Sequence, residues 1–139
     1  MKLLLDTNVV SELRKAKTGK INPNVKVWAD SVATSQLFLS VVTLLELEMG
    51  IGLIERRDTA QAALLRAWFD HQVLPAFHGR ILAVDTDVAL RCGKLHVPDP
   101  RSERDALIAA TALVHDMTVV TRNIADFKAM GVQLLNPWE

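Results

Sequence analysis

Acidic and amide side chains recur at one kind of position in this chain, directly after a predicted strand or near the start of the helix that follows. There are six of them: Asp6, Glu46, Asp87, Asp105, Asn123 and Asp126. In a parallel βαβ unit the helix returns antiparallel to its strands, so its first turn lies at their carboxyl ends, where ligands bind in open α/β sheets. The spacing therefore predicts that all six side chains belong to one edge of one sheet.

Helix capping is the competing explanation for several of these acids. The segments Thr43–Glu46, Ser102–Asp105 and Asn123–Asp126 each have a capping residue followed three positions later by an acid. An acid in the first turn of a helix complements the helix dipole by about 0.3–1 kcal/mol. Taken singly, each acid is better explained as part of a helix start than as a ligand.

Two of the acids fit capping less well. Asp6 ends a short run of leucines that predicts a buried strand, and Asp105 begins a helix that is apolar on almost every side. Carboxylates that converge in a buried region repel each other, and a divalent cation relieves that repulsion. A few carboxylates with water suit Mg²⁺ or Mn²⁺. If Asp6 and Asp105 converge, a shared metal ion is the preferred explanation.

Such an ion can activate a water molecule, orient a phosphate and neutralise the charge that develops on it. In-line attack on a phosphodiester needs all three. Glu46 is then a second ligand through water, or the group that accepts the proton of the water. Arg101 and Arg104, which flank Asp105, are candidates for holding phosphate oxygens, although surface solvation is the simpler explanation for each.

The elements that must position these residues alternate along the chain. We predict strands at 2–5, 36–40, 80–84, 118–121 and 133–135, and helices at 9–14, 24–32, 43–57, 59–72, 102–115 and 123–130, with a further helix that Thr86 caps. Alternating strands and helices predict an α/β fold with a parallel sheet covered on both faces. The length predicts a single domain, residues 1–139.

Two segments between these elements have two explanations each. Lys15, Lys17 and Lys20 lie in a predicted loop that could contact phosphate, although a solvated loop is the simpler interpretation. Gly50 and Gly52 lie inside a long predicted helix, at a cost of roughly 1 kcal/mol each relative to alanine. A close contact with another helix, such as one from a second subunit, would explain these glycines, and an imperfect helix would explain them equally well.

Composition limits the class of protein. Sixteen basic residues balance sixteen acidic ones, unlike a general nucleic-acid binder, which is basic overall. Half of the residues are apolar, which provides for a sizeable core. Cys92 is the only cysteine, so no internal disulfide forms, and a reducing compartment is expected. The sequence predicts neither a signal peptide nor a membrane span, and we expect the protein in the cytoplasm.

Four segments, with a familiar chain ending, resemble those of PIN domains, specifically the VapC-type toxins of bacterial toxin–antitoxin pairs. The segments are Leu4–Glu12, Ser40–Gly50, Asp105–Ala112 and Thr121–Phe127, and the ending is Asn136–Trp138. They occur in order along the chain. Together they are specific, whereas any one alone would be weak.

The resemblance implies an α/β/α sandwich with a five-stranded parallel sheet, and an endoribonuclease that uses Mg²⁺, for which Mn²⁺ can substitute. It makes Asp6 and Asp105 the metal-binding aspartates and Glu46 the third acid of the site. Thr7 would place its hydroxyl beside Asp6. Relatives often have a fourth acid at the position of Asn123. This chain has an amide there, and Asp126 one turn later is the alternative.

The resemblance also implies partners. These are an RNA substrate, a second copy of the chain in a homodimer, and a small antitoxin whose tail covers the acidic groove. DNA contact would come only through the antitoxin.

Two other functions remain open from the sequence. The amide at Asn123 raises the possibility of a non-catalytic module that binds RNA or an antitoxin. A phosphate-accepting receiver domain also clusters acids at strand ends, but Thr121–Asn123 lacks the lysine that a receiver needs after a late strand.

Overall fold

A sheet of five parallel strands forms the centre of the computed structural model, which describes residues 1–139. The strands, in the spatial order β3-β2-β1-β4-β5, are β1 (Leu3–Leu5), β2 (Leu37–Ser40), β3 (Ile81–Leu82), β4 (Thr118–Val120) and β5 (Leu134–Leu135). Leu3 lies level with Leu37 of β2 on one side and with Thr118 of β4 on the other. The predicted five-stranded parallel sheet is confirmed, with the first strand at its centre.

Eight α-helices connect and cover the strands. They are α1 (Thr7–Leu13), α2 (Pro23–Ser31), α3 (Val41–Glu55), α4 (Thr59–Trp68), α5 (Leu74–Ala76), α6 (Thr86–Leu95), α7 (Glu103–His115) and α8 (Ile124–Phe127). Short 3₁₀ helices at Arg14–Thr18, Thr34–Gln36 and Lys128–Met130 complete the connections. No helix combines the length and the apolar character that crossing a lipid bilayer requires.

Each face of the sheet has its own hydrophobic core, because side chains alternate along a strand. Leu3 and Leu5 belong to the core that α1, α3 and α4 share, whereas Leu4 belongs to the core beneath α6, α7 and α8. Cys92 of α6 is buried in the second core, where it packs as a small apolar residue. Helices therefore cover both faces, as predicted.

Helix α7 is the most deeply buried helix, as its apolar sequence predicts. Ala106 and the run Ile108–Ala112 are completely buried. Small side chains let α7 lie close to the sheet, and this fixes the position of Asp105 in its first turn.

The start of α3 differs from the prediction, which placed the helix start at Thr43. The Ser40 side chain instead accepts a hydrogen bond of 3.0 Å from the Val42 N–H, so α3 begins at Val41. Thr43 lies inside the helix, and its buried hydroxyl has no hydrogen-bond partner. The predicted capping box at Thr43–Glu46 is therefore wrong, and Glu46 lies in the second turn of α3.

The predicted helix at 59–72 is interrupted. α4 ends at Trp68, and Phe69–Val73 forms a wider π-helical turn in which the Leu74 N–H bonds to the Phe69 carbonyl. Pro75 follows and has no N–H to continue the regular ladder, which explains the change of hydrogen-bond spacing. β3 is shorter than predicted, and part of the predicted basic loop, Arg14–Thr18, is a 3₁₀ helix.

Candidate active site

Asp6 is the most enclosed acid at the carboxyl edge of the sheet, with 6% of its surface exposed. It follows β1 directly and caps α1, where its Oδ1 accepts a hydrogen bond of 2.8 Å from the Thr7 N–H. Its Oδ2 accepts bonds from the Thr121 hydroxyl at 2.8 Å and from Asn8 Nδ2 at 3.3 Å. Three donors thus fix the orientation of the carboxylate.

These donors do not compensate for the burial of the Asp6 charge. Burial raises the pKa of Asp6 above its ordinary value, although the bonds from Thr121 and Thr7 act in the opposite direction. The negative charges of Glu46 and Asp126 raise it further. The immediate neighbours therefore provide hydrogen bonds but no positive charge.

Asp105 approaches the same place from the first turn of α7. Burial raises the pKa of Asp105, and the charges of Asp6, Asp126 and Glu46 raise it further, in that order. Four acids from four different elements thus share one electrostatic environment. Of the six side chains that the spacing placed at this edge, these four are close enough to influence one another.

Glu46 faces the cluster from α3 and has two partners. Its Oε1 accepts a hydrogen bond of 2.6 Å from the Thr7 hydroxyl. Its Oε2 lies 3.7 Å from Arg104 Nη1. Thr7 was expected to place its hydroxyl beside Asp6, but only its N–H binds Asp6, and the hydroxyl orients Glu46.

The structure partly answers whether Asn123 or Asp126 completes the site. Asn123 is exposed, and its contact with the site is a hydrogen bond of 3.0 Å from its N–H to the Thr121 hydroxyl. Asp126, in the first turn of α8, is the residue whose charge reaches both Asp6 and Asp105. The charge of Asp126 therefore acts on both aspartates of the cluster, whereas Asn123 donates a hydrogen bond to Thr121.

Neither Arg101 nor Asp87 forms a hydrogen bond or an ion pair with the four acids. The Arg101 N–H donates a hydrogen bond of 3.0 Å to His96 Nδ1, and its buried Nε has no partner. Asp87, at the start of α6, borders a surface concavity with Arg91 and Lys94. Its charge is not among those that shift the pKa values of the aspartates.

Sequence reasoning gave no role to two residues that touch Asp6. Thr121 and Asn8 both bond to its Oδ2, and Asn8 Nδ2 also lies 3.3 Å from the Thr121 hydroxyl. Both follow a strand closely, at the same edge as the acids. The rule that located the acids therefore applied to these polar side chains as well.

The carboxylates fit a magnesium ion by number and chemistry. No group of three or more His, Cys, Asp or Glu side chains is close enough to form a complete metal site. However, Mg²⁺ usually keeps several waters and is bound through only one or two carboxylates. Asp6 and Asp105 meet that requirement, and their raised pKa values indicate negative charge that the protein leaves uncompensated.

Comparison with known proteins gives the family. The model of the PIN domain matches residues 3–132. The chain is 36% identical to the VapC ribonuclease Y4jK of Sinorhizobium fredii. The alignment is 145 residues long, gaps included, and covers 99% of this chain and 98% of that protein. The chain is 35% identical to the toxin FitB of Neisseria gonorrhoeae over 142 residues, 98% of each protein.

A solved structure agrees with these relatives. The structure of FitAB bound to the IR36 DNA fragment contains a chain that matches with a TM-score of 0.86 and 34% identity, over 99% of this chain and 96% of that one. The chain therefore belongs to the PIN-domain family, and VapC- and FitB-type toxins are among its relatives.

Proposed function

We propose that this protein is an Mg²⁺-dependent endoribonuclease toxin that hydrolyses RNA phosphodiester bonds and is neutralised by a cognate antitoxin. The observation that carries the proposal is that Asp6, after β1, and Asp105, in the first turn of α7, both have raised pKa values, and that the charge of Asp6 adds to the rise at Asp105. Relatives named as a ribonuclease and a toxin, aligned over nearly the whole chain, support the reaction class.

Asp6 and Asp105 would hold the ion, which when bound supplies an activated water and positive charge at the phosphate. Glu46 would accept a proton from that water. Its Oε1 is occupied by the Thr7 hydroxyl, so the proton would go to Oε2. Arg104, at 3.7 Å from Oε2, limits the charge of the cluster before the proton arrives.

Thr121 and Asn8 would act as positioning residues. Each donates a hydrogen bond to the Oδ2 atom of Asp6 and fixes the direction of its lone pairs. A metal ligand whose orientation is set by hydrogen bonds binds with less loss of conformational freedom. Asp126 adds negative charge near both ligands, which favours a cation.

Three partners belong to the proposal: an RNA substrate, a cognate antitoxin and a second copy of the chain. The structure of FitAB bound to a DNA fragment supports a complex that contacts DNA, and in our proposal the antitoxin makes that contact. Val41, Leu45, Met49 and Leu53 form an exposed apolar stripe on α3, which supports burial against another protein chain. Sedimentation of the purified chain would test the homodimer.

A cleavage assay tests the proposed activity. A structured RNA is incubated with the purified chain in Mg²⁺, Mn²⁺ or EDTA, beside Asp105→Asn and Asp87→Asn. Both variants remove one acid from the start of a helix, but only Asp105 belongs to the cluster. We expect cleavage with either metal, none in EDTA and none from Asp105→Asn, while Asp87→Asn cleaves as the parent does.

A non-catalytic module is the second candidate, favoured by the amide at Asn123. It predicts metal-independent binding of RNA with no cleavage under any of these conditions. That result would refute the nuclease proposal and retain the fold.

A further inference from the structure

A segment rich in cations follows α1. Residues 13–29 contain no acid, and they include Arg14, Lys15, Lys17 and Lys20. Of these four, only Lys15 has an acidic partner, Glu12 at 3.1 Å. Arg14, Lys15, Thr18 and Lys20 surround a concavity of about 320 Å³ that no hydrophobic residue lines.

The fold holds this segment in place. Glu12 Oε2 accepts a hydrogen bond of 2.8 Å from the Asn22 N–H, and Lys15 Nζ donates to Oε1. The Thr18 hydroxyl donates to the Lys15 carbonyl at 3.0 Å. The cations are thereby fixed to the end of α1, whose start follows Asp6. Seven residues of helix separate the two ends by roughly 10 Å.

A groove between α1, α3 and α4 joins the two regions. It encloses about 290 Å³, with Thr7 and Glu46 at one end and Arg14 and Trp68 at the other. The Arg14 guanidinium lies 6.0 Å from the centroid of the Trp68 ring. Because Arg14 also borders the cationic concavity, the acidic site, the groove and the cations form one continuous track.

We propose that a single strand of RNA next to the cleaved bond lies in this track, with a base against Trp68 and Arg14 and phosphates on Arg14, Lys15 and Lys20. The inference rests on the proposed function. Sites for single strands combine aromatic faces for base stacking with cations along the backbone. Both features occur here, in order, beginning at the acids.

The distribution of charge favours RNA over a peptide. One end of the track is acidic and the other is cationic, so a basic peptide is repelled at one end and an acidic peptide at the other. A polyanion satisfies both ends, because a divalent cation at Asp6 and Asp105 would reverse the sign of the acidic end.

Two glycines of α3 offer a matched test of the groove. A Cβ at Gly50 or at Gly52 would meet no atom within 4 Å, so a side chain is tolerated at both positions, but only Gly50 lines the groove. We compare Gly50→Leu with Gly52→Leu in the chain that keeps Asp6 and Asp105, over times at which a gel shows the probe still intact. The probe is a fluorescent eight-nucleotide oligouridylate in Mg²⁺, measured by anisotropy. We expect Gly50→Leu to weaken binding about five-fold or more and Gly52→Leu to leave it unchanged.

A second pair of variants tests the cations. Arg14→Gln with Lys20→Gln is compared with Arg91→Gln plus Lys94→Gln, which removes two cations around a concavity of about 300 Å³ on α6. For the first pair, the slope of log affinity against log salt should fall by about 0.7 for each RNA phosphate that no longer has a cationic side chain beside it. The control pair should keep the slope of the parent.

The outcomes separate this inference from the proposed function. If the unmodified chain cleaves RNA but all four variants bind the oligonucleotide as the parent does, the track is wrong and the nuclease remains. If Gly50→Leu abolishes binding of oligoarginine and leaves RNA affinity unchanged, the groove is a protein site and the inference is overturned. If the unmodified chain neither binds nor cleaves RNA, both proposals fail.

Discussion

Asp6 and Glu12 lie at the two ends of α1, and both residues are mostly buried, at 6% and 9% exposure. Their electrostatic states differ in direction. The pKa of Asp6 is raised, chiefly by burial, whereas the pKa of Glu12 is lowered, chiefly by the hydrogen bond from the Asn22 N–H. Lys15 lowers the pKa of Glu12 further, while Glu46 and Asp126 raise that of Asp6.

The difference shows that burial alone does not identify a functional acid. Glu12 has a backbone donor and a nearby cation, so its charge is stabilised within the fold and its role is to hold the cationic segment. Asp6 has three donors but no cation, and it faces other acids. A buried carboxylate without a positive partner costs free energy, which a bound divalent cation would offset.

The largest effect should come from Asp6→Asn. The change removes a ligand charge. The remaining oxygen can keep the bond from the Thr7 N–H, while the amide NH2 replaces Oδ2, which accepted the bonds from Thr121 and Asn8. We expect cleavage to fall about 100-fold or more, because the electrostatic contribution of a metal is worth several kcal/mol. The metal-free melting temperature should stay the same or rise. A variant that cleaves as well as the parent would show that the site is assigned wrongly.

Glu12→Gln should have the opposite profile. It removes the charge that Asn22 and Lys15 stabilise, and bonds to charged groups contribute about 1.5–3 kcal/mol. We expect a loss of unfolding free energy in that range, measured by urea denaturation, with the rate of cleavage at saturating RNA nearly unchanged in the folded protein. Equal losses of stability from Glu12→Gln and Asp6→Asn would remove the contrast between the two acids.

The pH dependence of stability should also differ in sign, in EDTA. The pKa of Asp6 is raised above 3.8. The contribution of Asp6 to the free energy of unfolding is therefore fully present below pH 3.8 and is lost as pH rises through the folded-state pKa. The pKa of Glu12 is lowered below 4.5, so its contribution is present above that pH and is lost as pH falls through the folded-state pKa.

Melting temperatures measured from acid pH to neutrality test these two opposite pH dependences. The melting temperature of Asp6→Asn relative to the parent should increase as pH rises towards neutrality. The deficit in the melting temperature of Glu12→Gln relative to the parent should shrink on acidification. Parallel curves for the parent and both variants would contradict the account.

The smallest effects are expected at the start of α3, where the buried Ser40 hydroxyl has a hydrogen-bond partner and the buried Thr43 hydroxyl has none. Ser40→Ala removes a cap and should cost about 0.5–2 kcal/mol. Thr43→Val removes a buried hydroxyl that has no partner, so stability should be unchanged or raised. If Thr43→Val proved the more damaging in chemical denaturation, Thr43 would be the true cap.

The acids were predictable because strand ends and helix starts in a parallel sheet share one edge. Asp6, Asp105 and Asp126 obey that rule, whereas Glu46 reaches the edge from the second turn of α3. Asp87 obeys the rule as well but lies apart, since the sequence does not say which strands are neighbours. β3, which precedes Asp87, is at the edge of the sheet, whereas β1 and β4 are adjacent.

The helix starts were less predictable, because two residues could cap α3. Ser40 and Thr43 both suit a cap, and tertiary packing decides between them by burying Thr43 inside the helix. The π-helical turn before Pro75 and the groove at Gly50 also depend on three-dimensional packing. The groove forms only when α1, α3 and α4 pack together, so no local sequence pattern predicts it.

An anomalous difference map from a crystal soaked in Mn²⁺ tests the central claim most directly. The account predicts a peak within ligand distance of both an Asp6 oxygen and an Asp105 oxygen. A map without a peak there, with the two carboxylates facing separate regions of solvent, would contradict the shared metal ion and the mechanism that depends on it.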